Sequence, residues 1–264
     1  MGYHCLQIET GEDKTARIIL NQPERLNALG IDTARELRAA LAELDENPAV
    51  RVIIIKGAGR AFSSGGNIKD MQESLEGDPA EYMDRLTEEV YSAVAAVPEL
   101  QKPVIASVHG FAYGAAFDLV MACDLAVATS DTVFCQSFIK LGLIPGGLAT
   151  VLMPRIMGMK KTRELCLTAR NVSADEAYKI GIVSRVVEPA DLENETLELA
   201  RKLAKAPPLA VARTKELLWN SYHITPDQQA VIERNTQIEM SRTADYAEAV
   251  RAFVEKRKPE FKGE

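Results

Sequence analysis

Val104-Ile105-Ala106-Ser107-Val108-His109-Gly110-Phe111-Ala112-Tyr113-Gly114-Ala115-Ala116-Phe117-Asp118 decides the architecture of this chain. The run Val104–Val108 reads as a strand buried on both faces, because a solvated face would bring a polar residue at every second position. A glycine-bearing turn follows, and Gly114 precedes a short helix predicted to run through Met121. The same order occurs upstream. Val50–Lys56 is another continuous apolar strand, residues 57 to 70 form a loop rich in Gly and Ser, and Pro79 opens a helix to about Val97. A repeated strand–helix–strand unit implies an α/β layered core with crossover helices.

Working outward, Tyr3–Glu9 and Thr15–Leu20 alternate like strands around the turn Gly11-Glu12-Asp13. Leu37, Leu41 and Leu44 place a helix over about Asp32 to Glu46, with Asp32 as its cap and Asn47-Pro48 as its stop. Pro98 to Pro103 breaks the helix begun at Pro79, and Leu125–Ala128 returns to strand. After about Ala190 the character becomes helical, over 191–205, 208–222, 226–242 and 243–256. This divides the chain into an α/β core, residues 1–200, and a helical region, residues 201–264, used either for packing or for assembly.

Composition excludes several classes. The 264 residues are 47% hydrophobic and 26% charged, the balance of a folded chain with a sizeable core. A net charge of −7 speaks against a nucleic-acid or anionic-membrane surface, which needs clustered Lys and Arg. Met1 to Thr10 lacks the pattern of a targeting segment, and no apolar run is long enough to span a bilayer. Cys5, Cys123, Cys135 and Cys166 have no CxxC spacing and read as reduced thiols of a cytoplasmic protein. With His4, His109 and His223 equally dispersed, no metal site is predicted.

Two glycine-rich stretches directly follow buried strands, Gly57–Gly66 and His109–Ala116. Such turns bring backbone N–H groups to a ligand without side chains intervening, and two converging N–H groups make an oxyanion hole. Neither stretch matches a P-loop or a dinucleotide fingerprint. Glycine for tight packing is the other reading of the same residues.

Asn21-Gln22-Pro23-Glu24-Arg25-Leu26-Asn27-Ala28-Leu29, Ala61-Phe62-Ser63-Ser64-Gly65-Gly66-Asn67-Ile68-Lys69 and Pro103–Gly110 together resemble the enoyl-CoA hydratase/isomerase (crotonase) superfamily. Leu141–Gly147 and Ala252–Pro259 extend the resemblance, in family order, over nearly the whole chain. It implies a crotonase-like spiral of ββα repeats with a C-terminal helical trimerisation region. The partner would be an acyl-CoA thioester, the assembly a homotrimer or dimer of trimers, and coenzyme A would be part of the substrate with no separate cofactor. The resemblance assigns the oxyanion hole to the N–H groups of Gly66 and Ala115. It assigns coenzyme A contacts to Arg25, Leu26, Ser64, Ile68 and Lys69, and contacts to a neighbour's nucleotide to Phe253 and Lys256. Lys256 would pair with a phosphate; a solvated end-of-helix lysine is the plainer alternative.

Hydratases of the family hold water between two carboxylates. The first position corresponds to Asp118, one turn after Ala115, where a side chain leaning toward the helix N-terminus would lie near the hole. Asp is shorter than the usual Glu by roughly 1.5 Å. The second position corresponds to Phe138, which carries no proton. A one-acid site with an oxyanion hole suits a 1,3-proton shift on an enoyl-CoA, with Phe138 excluding water. Hydration of a non-standard acyl group, decarboxylation of a malonyl-type ester and a non-catalytic CoA-binding scaffold are the alternatives. Asp70, Glu73, Tyr82, Tyr91 and His223 are candidate replacement acids, and Cys135 and Gln136 are polar neighbours of Phe138.

Overall fold

The computed structural model describes residues 2–264. Strands β1 (Leu6–Thr10), β2 (Thr15–Leu20), β3 (Val52–Gly57), β4 (Val104–Val108), β6 (Leu125–Thr129) and β9 (Arg185–Val187) form one sheet in that spatial order. Only the β1–β2 ladder is antiparallel; the other four are parallel. A second sheet joins β5 (Phe111–Tyr113), β7 (Val133–Cys135) and β8 (Val172–Ser173). Each repeat therefore gives one strand to the large sheet and a second to the small one: β4 then β5, β6 then β7. In the repeat begun by β3, Ser63 takes the second place through a bridge to Ala112.

Period-two geometry explains the unbroken apolar strands. Ile53 and Ile55 of β3 enter the main core, together with Leu37 and Leu41 of α1 (Ile31–Glu46) and Val94 of α3 (Pro79–Glu99). Val52 and Ile54 face the other way, where Leu199, Ala200 and Ala204 of α7 (Leu192–Ala204) cover them. The boundary expected at 200/201 thus falls inside a helix that closes the sheet's outer face, and the helical extension starts at Pro208. Its first helix, α8 (Pro208–Asn220), is anchored by buried Lys215, whose Nζ donates to Asp124 Oδ2 at 2.7 Å and to the Lys102 carbonyl at 3.0 Å. Beyond it, α9 (Pro226–Met240) has no buried residue, and α10 (Ala244–Val254) leaves Phe253 86% exposed.

Several local expectations are corrected. Gly30, not Asp32, occupies the cap position of α1; Asp32 sits in the first turn, where its charge suits the helix dipole. Pro98 lies inside α3, which ends one residue later, so its missing N–H costs one bond at the frayed end of the helix. The strand from Tyr3 begins at Leu6, because the N–H groups of His4 and Cys5 bind the Glu36 carboxylate of α1 instead. A helix absent from the sequence reading, α5 (Ala149–Thr168), breaks at Gly158, where φ is 78°.

Candidate active site

The site is built on the two glycine-rich turns. Leaving β3, the chain bends at Gly57, where a Cβ would lie 2.4 Å from the carbonyls of Ala61 and Phe62. Asn27 then fixes the turn: its buried Nδ2 donates to the carbonyls of Ala58 (2.8 Å), Ala61 (3.0 Å) and Phe62 (3.2 Å). Its Oδ1 accepts from the N–H of Gln22, so one amide ties the segment bearing Arg25 and Leu26 to the loop bearing Ser64 and Gly66. The Leu26 carbonyl accepts from Ser64 N–H at 2.9 Å. This positioning role of Asn27 was legible only as part of a motif.

The second turn is pressed against the first. Ser63 N–H donates to the Phe111 carbonyl and Tyr113 N–H to the Ser63 carbonyl, each at 3.2 Å. At Gly65, φ is 82° and a Cβ would stand 2.2 Å from the Tyr113 carbonyl oxygen and 3.3 Å from the Ala115 nitrogen. Only glycine permits that approach. Gly114, with φ 50°, precedes α4 (Ala115–Ala122), placing Ala115 as its first residue with a free N–H and no positive φ. Among the described residues, neither Gly66 N–H nor Ala115 N–H finds an acceptor.

Gly66 and Ala115 both line a cavity of about 290 Å³. Ser64, Ile68 and Phe138 line it too, whereas Arg25, Leu26, Lys69, Phe253 and Lys256 do not. Phe138 reaches within 3.7 Å of where a Gly114 side chain would begin, so a phenyl ring borders the hole. Lys69 pairs with Glu73 at 3.8 Å on the exposed rim. His223 is exposed and edge-on to Trp219, away from the cavity, and Asp70, Glu73 and Tyr82 sit in a separate shallow depression. Of the replacement acids, only Tyr91 lines the cavity that holds Gly66 and Ala115. Sequence reasoning missed Thr87 and Ser137, which also line it; the Thr87 hydroxyl is committed to the Met83 carbonyl at 2.8 Å.

Asp118 departs from its expected place. It is fully buried and forms no part of the cavity lining. Gln136 Nε2 donates to its Oδ1 at 2.8 Å, while Oδ2 and the Gln136 Oε1 have no partner among the described residues. Burial pushes this carboxyl well above the usual carboxylate range, with the Gln136 hydrogen bond opposing. Gly147, with φ 47°, packs directly against it: a Cβ there would lie 3.1 Å from Oδ2. On the adjoining residue, Gly146, a Cβ would collide with the Tyr91 ring and hydroxyl. A Gly-Gly dipeptide therefore lies between the tyrosine of the cavity wall and the acid behind it.

Two residues with unengaged N–H groups thus line an apolar cavity, with a buried acid of raised pKa nearby, an arrangement whose chemistry suits an oxyanion. The enoyl-CoA hydratase/isomerase profile matches residues 10–264, and the chain belongs to that family. It is 36% identical over 252 residues to the short-chain-enoyl-CoA hydratase of Clostridium acetobutylicum, covering 94% of each chain. It is 34% identical over 247 residues to the 1,2-epoxyphenylacetyl-CoA isomerase of Escherichia coli, covering 93% of this chain and 94% of the other. The crystal structure of enoyl-CoA hydratase from Bacillus anthracis superposes with a TM-score of 0.93 at 30% identity, covering 99% of this chain and all of that one. Among the described residues no cluster of three metal-ligating side chains occurs, and no helix is long and apolar enough to cross a membrane.

Proposed function

We propose that this protein binds an enoyl-CoA thioester, holds the thioester oxygen between the N–H groups of Gly66 and Ala115, and shifts the carbon–carbon double bond. The observation that carries the reading is that pair of unengaged N–H groups in the wall of an apolar cavity whose lining contains no carboxylate. With a 3-enoyl ester, the Asp118 carboxylate removes a proton from Cα. The electron pair moves onto the thioester oxygen, and the charge is shared with Cγ. The protonated Asp118 then delivers its proton to Cγ, leaving the 2-enoyl ester. Reaching Asp118 requires Gly146–Gly147 to move aside. Leu143 and Ile144 of the same loop line the cavity, so a bound acyl group presses on the segment that covers the acid.

Hydration is the second reading, favoured by relatives such as the Clostridium hydratase. Water would need a second polar partner, and Tyr91 or Ser137 would have to supply what Phe138 does not. Deuterium incorporation and product analysis with crotonyl-CoA and a 3-enoyl-CoA in D2O separate the two. Double-bond migration without 3-hydroxyacyl-CoA, abolished by Asp118→Asn, supports the shift; rapid 3-hydroxyacyl-CoA formation replaces it with hydration.

A homotrimer or dimer of trimers belongs to the same reading. Its support is the open surface of α9 and α10 and the fact that Phe253 and Lys256 are not among the residues lining this chain's own cavity. A monomeric mass by light scattering would remove it.

A further inference from the structure

The side chains beside the hole are mostly apolar, with the Ser137 hydroxyl as the polar exception. A Cβ on Gly66 would meet the Met71 methyl at 2.7 Å, and a Cβ on Gly114 would meet the Ser137 Oγ at 3.2 Å and the Phe138 ring at 3.7 Å. Carbons next to a carbonyl held at Gly66 and Ala115 therefore lie among a thioether, a phenyl ring and one uncharged hydroxyl. Beyond them, α3 presents Met83, Leu86 and Val90 to the same cavity at helical spacing. No charged side chain lines the cavity. Ile144 is 77% exposed yet part of the lining, so the mouth continues the apolar surface outward.

We infer that the acyl group is an uncharged hydrocarbon chain, that esters bearing a second carboxylate are rejected, and that Met83 and Leu86 set the length accepted. This rests on the acyl-CoA reading and adds the substrate class to it. A terminal carboxylate entering this cavity would lose its water and find no cation, which is far more costly than burying a methyl group. Each added methylene gains from burial until the space beneath α3 is filled. Methionine at 71 and 83 lets the walls adapt to chain shape, since thioether side chains repack at low cost.

Saturated esters isolate this from turnover, because they have no double bond to move. Calorimetric titration of the native protein with butyryl-, hexanoyl-, octanoyl- and glutaryl-CoA is expected to show affinity rising roughly fourfold per methylene until the chain fills the cavity. Glutaryl-CoA, close in length to hexanoyl-CoA, is expected to bind about a hundredfold more weakly. Met83→Phe should weaken octanoyl-CoA at least about tenfold more than butyryl-CoA. Leu86→Phe, followed with a thermal melt because Leu86 is buried, should do the same. Equal affinity for glutaryl- and hexanoyl-CoA, or equal losses at every length in both variants, would overturn the assignment. Failure of coenzyme A and every ester to bind would overturn the acyl-CoA reading and this inference with it.

Discussion

The wall that would grip the carbonyl and the wall that hides the acid are made by different means. At the first, two main-chain turns are stitched by hydrogen bonds from Ser63 and Tyr113, with the Asn27 amide behind them. Its donors are already aimed and unengaged. At the second, Asp118 is held by a single bond from Gln136, leaves one oxygen unpartnered, and is covered by a glycine pair with no side chain of its own. Oxyanion stabilisation depends on dipoles that need not reorganise, so rigidity suits the first wall. Proton transfer needs an approach to about 3 Å, so the second must yield before it acts.

That contrast can be broken most severely at the acid. Asp118→Asn is expected to lower kcat by roughly 10²–10⁴-fold while leaving ester affinity within about twofold, read by steady-state kinetics and calorimetry. If turnover survives, the acid lies elsewhere. Ala115→Pro attacks the other wall. Proline is well suited to the first position of a helix, so the fold should persist while the N–H is lost, and kcat should fall roughly 10²–10³-fold. An unchanged kcat would mean that Ala115 is not a donor.

Gly147→Ala sharpens the comparison. The methyl would press on Asp118 at a positive φ, costing about 1–2 kcal/mol in denaturant unfolding and about tenfold in kcat. Equal kcat would show that the glycine cover does not govern access. The smallest effect is on stability against pH. The native Asp118 pKa lies above its unfolded value, so its contribution is fully present below about pH 4 and is lost as pH rises through the native pKa. Asparagine cannot ionise, and its amide is suited to donate to the unpartnered Gln136 Oε1. Asp118→Asn should therefore become more stable than the native chain with rising pH, by about 1–3 kcal/mol at the plateau. Over the same range kcat of the native enzyme should rise, because only the ionised carboxylate accepts a proton. A stability difference independent of pH would contradict the raised pKa.

The large sheet was legible because β3 and β4 must be apolar on both faces, and that leaves an unbroken pattern in sequence. The small sheet was not, since strands of two or three residues such as Val172–Ser173 are shorter than any period they could display. The break at Gly158 similarly hid α5 by interrupting its helical phase. At the site, the place of Gly66, Ala115 and Phe138 in one cavity wall was readable because motif and turn chemistry are local. The withdrawal of Asp118 was not: it depends on Gly147, twenty-nine positions along the chain, adopting the one backbone path that covers its carboxyl. Likewise nothing near Tyr91 in sequence announces that Gly146 will lie against its ring.

The hole proposed at Gly66 and Ala115 has a consequence for inheritance. Its donors belong to the peptide chain, so any amino acid except proline at either position still supplies an N–H, provided the path of the chain survives. The carboxyl at position 118 exists only while a single codon specifies it. Random mutation in such a gene would therefore erase or replace the proposed proton carrier long before it erased the proposed grip on the thioester. A lineage built on this plan can change its reaction by small steps at one wall while the other keeps every intermediate version bound.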